Sequence, residues 1–245
     1  MSALALLIEA QGIATVVVGL IRPHMERTKP PRGLWVPFPL GRPFGEAGSP
    51  AFQLRVLRYA LSLLEREDGP VVLEDFPDDA PSMRDTPGWQ PFLADGDRSA
   101  ILPSSPEAWK NALGVELSRI APAWEAARRR FGRTTTGASR LAPAEWITYA
   151  ARFLVGELPD SPVDGMSPAL VVRFGADDLK ALYTEAIQAA DPMPSPAQVD
   201  RWFWNQTLAA DFLRALRLAA ISADHPGFKT AGSRFLVPAP FVTRT

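Results

Sequence analysis

The chain has 245 residues, of which 26 are basic and 27 acidic, giving a formal net charge of −1, and 47% of it is hydrophobic. That is enough apolar material for a sizeable core in one large domain or two modest ones, while the even charge balance provides no global field to gather nucleic acid or an anionic membrane. The absence of cysteine excludes disulfides, thiolate metal sites and cysteine nucleophiles together.

The first segment, Met-Ser-Ala-Leu-Ala-Leu-Leu-Ile-Glu-Ala, is apolar but has no basic n-region, carries Glu9 and runs to Gly12 without a cleavage site, so it does not read as a secretory signal. No apolar run approaches the roughly 18 residues of a membrane span, and the expected location is the cytoplasm. Residues 3–11 are predicted helical, with Leu4, Leu7, Ile8 and Gln11 at helical spacing and Gly12 available as a left-handed cap. The β-branched stretch Thr15–Val18 within 14–19 is apolar on both faces, the pattern of a buried strand in a parallel sheet. Residues 34–45, Leu-Trp-Val-Pro-Phe-Pro-Leu-Gly-Arg-Pro-Phe-Gly, then read as a rigid loop: Pro37, Pro39 and Pro43 (and Pro31 upstream) fix φ and withhold donors, and Gly41 and Gly45 allow turns. Ser49 and Pro50 open the next helix, with Phe52, Val56, Tyr59 or Ala60, and Leu63 as its buried stripe, until Gly69-Pro70.

This succession resembles the C-terminal part of component B of the glycine/sarcosine/betaine reductases and the related D-proline reductase subunit. There, too, a helix and short strand lead into a Pro-x-Pro-Leu-Gly-x-Pro loop and an arginine-rich amphipathic helix, and the likeness covers roughly residues 5–66. The resemblance implies a flavodoxin-like fold and an oxidoreductase setting. In that family the catalytic selenocysteine or cysteine lies on a loop before the helix that feeds this strand; here the chain begins inside that helix, and no cysteine is present.

Val71–Leu73 is a second candidate strand, followed by Glu74-Asp75, and residues 77–103 form a proline-, glycine- and charge-rich connection. Helices follow at 106–131 (Trp109, Leu113, Leu117, Ile120 and Trp124 inward, Pro122 as a kink), 143–155, near 176–190 and 196–223; residues 168–174 are ambiguous and 235–245 extended. The fold class is therefore an α/β N-terminal part with a small, incomplete parallel sheet (1–76), the connection 77–103, and a mainly α-helical part (104–245). Two or three strands are few for an α/β layer, so either a strand is unrecognised or another chain completes the sheet.

The first place to seek a site is the carboxyl end of the first strand, where Arg22, His24, Glu26 and Arg27 follow. Arg22 is a candidate to hold a carboxylate, and His24 with Glu26 a candidate proton-transfer pair. Trp35, Phe38 and Arg42 of the proline-rich loop are expected to line the same concavity. Glu74, Asp75, Asp78 and Asp79 read mainly as a solvated acidic turn, with carboxylate binding of a divalent cation or a general base as the alternatives. In Arg201-Trp202-Phe203-Trp204 three consecutive rings project about 100° apart, which points to an interface carried by Arg201, Trp202 and Trp204. Phosphate-loop, dinucleotide, zincin and nucleophile-elbow motifs are absent, and neither a metal site nor any other cofactor is identified. The reading is a non-catalytic or co-catalytic subunit of a heteromeric reductase-like complex, with a sister chain supplying thiol or selenol. The alternative is a stand-alone enzyme or binding module for a small anionic, amino-acid-like ligand. A sister subunit or a second copy is the expected partner; nucleic acid and membrane are not.

Overall fold

A computed structural model describes residues 1–80, 84–93 and 101–243. The chain divides between Asp85 and Thr86 into two units. The first contains α1 (Ser2–Glu9), β1 (Val17–Gly19), α2 (Arg22–Thr28), β2 (Arg32–Trp35), α3 (Pro50–Ser62) and β3 (Val72–Asp75). All strand pairs are parallel, in the order β1-β2-β3, with Gly19 beside Trp35 and Trp35 beside Asp75. The order runs straight through, without the reversal at which doubly wound sheets bind their ligands.

One expectation for this unit is corrected and one helix is added. The central strand β2 includes Leu34 and Trp35, which the sequence places in the proline-rich loop; Pro31 and Pro37 bracket the strand, so none of its own donors is lost. Residues 22–28, to which the sequence analysis assigns no element, form a helix, ended by Lys29 in a left-handed conformation (φ 44°) whose N–H bonds the Met25 carbonyl at 2.8 Å. Met25 is the buried anchor of α2. It lies over Gly19 and Gly33, and a Cβ at either glycine would overlap its side chain, so two strand glycines let this short helix close on the sheet. The α3 stripe is Phe52, Val56 and Ala60, continued by Leu63, packed with Leu34, Val36, Phe38 and Phe76. Ser49 occupies the capping position but makes no side-chain cap; its carbonyl accepts from Gln53 N.

The second unit is helical: α4 (Pro106–Phe131), α5 (Pro143–Ala151), α6 (Pro168–Ile187), α7 (Pro196–Gln206), α8 (Leu208–Ser222) and α9 (Pro226–Arg234). Five of these begin at a proline, which loses nothing by lacking an N–H in the first turn. Ser105, Ser167 and Ser195 precede three of those prolines and accept the N–H of the third helical residue. Five of the prolines in this half thus serve as helix punctuation. The ambiguous 168–174 belongs to α6, and Ala239–Phe241 is a 3-10 turn within the tail read as extended. Of the expected connection 77–103, residues 81–83 and 94–100 lie outside the described residues; Trp89 and Leu93 join the helical core.

The predicted single helix 196–223 is broken at Thr207, which is extended (φ −106°, ψ 145°) and fully buried. Its hydroxyl donates to Phe203 O at 2.7 Å and accepts from Ala210 N at 3.1 Å. Glu116, reaching across from α4, accepts Leu208 N, Ala209 N and the hydroxyl of buried Tyr183. The start of α8 is therefore capped by a side chain distant in sequence. The loop after α4 is fixed in a similar way. Asp178 accepts the N–H groups of Gly137, Ala138 and Ser139 and the Ser139 hydroxyl. Glu185, seven residues on along α6, accepts Trp124 Nε1, both hydroxyls of Thr134 and Thr135, and Thr135 N. Among the described residues, no helix is long and apolar enough to cross a membrane.

Candidate functional site

Parallel register brings Gly19, Trp35 and Asp75 level at the carboxyl end of the sheet. Arg22, the first residue of α2, reaches across this end: its Nε lies 3.0 Å from both carboxylate oxygens of Asp75, and a second guanidinium nitrogen pairs with Glu26 one turn along the helix. Hydrogen bonding and the nearby charge of Asp75, with a smaller contribution from Glu26, push the Arg22 pKa up. One guanidinium thus faces two carboxylates, a local excess of negative charge. Arg22, expected to grip a substrate carboxylate, is thus already engaged by two carboxylates of its own chain, and Glu26 is occupied in holding Arg22.

The other predicted members of this site are divided between surface and core. His24 is exposed on α2. Phe38 is buried in an aromatic cluster, 5.5 Å from Phe52 and 5.8 Å from Phe76 between ring centroids, so it is core rather than pocket wall. Arg42 is exposed in a turn closed by its N–H on Pro39 O, and Trp35 is half-buried at the end of β2. Arg55 covers the aromatic cluster instead, 5.1 Å from the Phe52 ring, and pairs with Asp78 at 2.7 Å. Glu74 accepts Tyr59 Oη at 2.9 Å and pairs with Arg66, which also holds Asp68. Glu74, Asp75 and Asp78 are thereby engaged as ion-pair partners. Among the described residues, no group of three or more His, Asp or Glu side chains is placed to hold a metal ion.

The interface expected at α7 is corrected as well. Trp202, Phe203 and Trp204 are all buried, at 1%, 6% and 3% exposure. Each direction around this helix has its own neighbour in the same unit: Trp89 and Tyr183 for Trp202, Tyr183 for Phe203, and the stacked Phe241 (5.6 Å, 13°) for Trp204. Arg201 lies on the exposed side of α7.

What the structure adds is a surface at α1, for which the sequence predicts only a helix over 3–11 with Leu4, Leu7, Ile8 and Gln11 at helical spacing. α1 is apolar around its whole circumference, yet only Ala5 is buried; Leu4, Leu6 and Leu7 are exposed, Leu7 at 68%, and Ile13 in the following turn at 61%. A helix of this composition is ordinarily covered on all sides. Beside it, β1 pairs with β2 alone, leaving its other edge without a strand among the described residues. The turn between them is fixed by Glu9: one carboxylate oxygen accepts Thr15 N and Thr15 Oγ1, both at 2.9 Å, and Arg32 Nη1 at 2.8 Å. Desolvation pushes the Glu9 carboxyl up, but these bonds outweigh it and hold its pKa below the usual carboxylate value. The apolar helix and open edge are thus held in place by a buried-side ionic tie.

The helical unit carries its own concavities. One, of about 370 Å³, is walled by Phe153, Leu154, Leu158, Leu216 and Phe228, with Glu157 and Asp224 at its lining; these acids already pair with Arg152 and Lys229. No protein-family model matches the chain, and neither a curated protein nor a solved structure does so.

Proposed function

We propose that this chain is a non-catalytic or co-catalytic subunit of a heteromeric, reductase-like assembly, docking through α1 and the β1 edge onto a sister chain that brings the thiol or selenol. The observation that carries the reading is the exposed apolar helix α1 together with the open edge of β1, the outer strand of a sheet that has three strands among the described residues. A partner that adds a strand beside β1 and covers α1 would remove the exposed edge and the exposed leucines at once. In a flavodoxin-like sheet, β1-β2-β3 would then form one flank, the partner supplying the strands beyond the reversal. The lack of cysteine and the Arg22–Asp75–Glu26 cluster, whose one guanidinium is already engaged by two carboxylates, favour this reading over a stand-alone enzyme working on carboxylate-bearing amines.

The test is native mass measurement of the chain alone and co-expressed with a thiol- or selenol-bearing component of the glycine reductase type. The expected result is a heteromer that Leu7→Glu abolishes while leaving the circular dichroism of the chain unchanged. The isolated chain is expected to show no dithiol-driven reduction of glycine, betaine or proline. A monomer at every concentration, indifferent to the component and to Leu7→Glu, overturns the reading.

A further inference from the structure

We propose that the arginines around the end of α4 form a binding surface for single-stranded nucleic acid, independent of the docking surface on the N-terminal unit. Arg128, Arg129 and Arg130 occupy the last turn of α4, and Arg133 and Arg140 flank the following loop; all five are exposed. Glu125 pairs with Arg129 at 3.6 Å. No carboxylate lies within ion-pairing distance of Arg130, Arg133 or Arg140 among the described residues. Cations at a helix C-terminus complement its dipole, which accounts for the first three arginines but not for two placed beyond the helix. The net charge of −1 for the whole chain thus conceals a local basic surface.

Three features fit this surface to a single strand. The loop that presents Arg133 and Arg140 is pinned to α6 at both ends, through Thr134 and Thr135 on Glu185 and through Gly137 to Ser139 on Asp178. Little ordering entropy is therefore lost when its arginines are engaged. Those bonds also occupy the N–H groups of Thr135 and of Gly137 to Ser139, so recognition of an anion rests mainly on guanidinium groups, which match phosphate oxygens with two donors each. Aromatic faces are interleaved with the charges: Arg130 sits 5.2 Å from the ring of Phe131, which is 41% exposed, and Arg128 sits 4.9 Å from that of Trp124. Unpaired bases stack on such rings while the backbone meets the cations; an acidic peptide has no use for the rings, and a duplex hides its base faces. A shallow concavity of about 560 Å³ lined by Arg128, Arg129, Arg133, Thr134 and Glu125 adjoins these groups.

The experiment is fluorescence anisotropy of a labelled 20-nucleotide oligothymidylate titrated with the full chain between 50 and 200 mM salt. Binding is expected with Kd on the order of 10⁻⁶–10⁻⁴ M near physiological salt, weakening steeply as salt rises. Arg130→Gln/Arg133→Gln/Arg140→Gln should flatten the slope of log K against log salt by about 2, since each lost phosphate contact on a single strand removes about 0.7. Phe131→Ala should weaken binding about fivefold or more at constant slope. Arg58→Gln/Arg84→Gln/Arg234→Gln, with the same change in charge elsewhere, should leave both values unchanged. If the triple variant loses its fold by circular dichroism, Arg140→Gln alone, outside any helix, should still flatten the slope by about 0.7. The proposal is overturned by absence of binding at 50 mM salt, by equal behaviour of the two triple variants, or by a polyglutamate peptide that competes as well as the oligonucleotide.

Discussion

Glu185 illustrates what one buried acid does for a fold. It is 8% exposed on α6, yet both of its oxygens are saturated by donors from Trp124, Thr134 and Thr135. Desolvation pushes its carboxyl up, and the bond from Thr135 N, followed by those from Trp124, the Thr135 hydroxyl and Thr134, outweighs it, so the net shift is downward from 4.5. A depressed carboxylate contributes stability in full above its ordinary pKa and loses it as pH falls through the folded value. Glu185→Gln turns one acceptor into a donor facing donors, at a cost of about 1.5–3 kcal/mol, or about 3–12 °C in Tm at neutral pH. Scanning calorimetry should show that deficit shrinking as pH falls below 4.5; a deficit constant with pH would mean the carboxylate charge plays no part in holding the loop. At Gly175 the argument is steric instead. A Cβ there would overlap the Trp146 indole, whose Nε1 bonds Val171 O at 3.1 Å. Gly175→Ala should therefore lower the urea midpoint, an overpacking cost of about 1–3 kcal/mol that exceeds the roughly 1 kcal/mol alanine gains in a helix.

At the scale of elements, α4 was readable because its signals are local: Ser105-Pro106 at the start, the spacing of Trp109, Leu113 and Ile120, and Gly132 at the left-handed end. The break between α7 and α8 was not, since beside the local Thr207 cap the start of α8 is held by Glu116, more than ninety positions away. β2 was missed because four strand residues are bounded by prolines on both sides, and α2 because its single apolar anchor, Met25, needs the two strand glycines beneath it. The same limit explains the candidate site. Arg22, Glu26 and Asp75 were each picked out, but only the parallel register shows that Asp75 meets the Arg22–Glu26 pair, and only tertiary packing shows three neighbours around Trp202–Trp204. A double-mutant cycle tests the long-range cap. Thr207→Val should cost about 1 kcal/mol and Glu116→Gln about 1.5–3 kcal/mol, with a coupling of at least about 0.5 kcal/mol between them. Strict additivity in urea denaturation would mean that the two groups cap α8 independently.

Across the whole molecule the two units are unequally equipped. The helical unit buries Trp146, Trp202, Tyr183 and Phe212 in one continuous core, whereas the N-terminal unit relies on a small cluster around Leu34, Val36 and Val56 while exposing much of α1. Small cores yield marginal stability, so unfolding of the intact chain is expected in two steps, the N-terminal unit first. Hydrogen exchange followed by mass spectrometry across a urea series should show β1–β3 losing protection before α6 and α8 do. Trp35, the one tryptophan before Asp85, allows a second readout: Trp35→Phe should remove the fluorescence change of the earlier step and leave the later one. If α1 and the β1 edge are the docking surface, a bound partner must raise the first transition and spare the second, by about 2.7 kcal/mol at a partner concentration a hundred times Kd. A single coincident transition would remove the premise of a weakly held unit. Two transitions that a bound partner raises equally would place its contact outside α1 and the β1 edge.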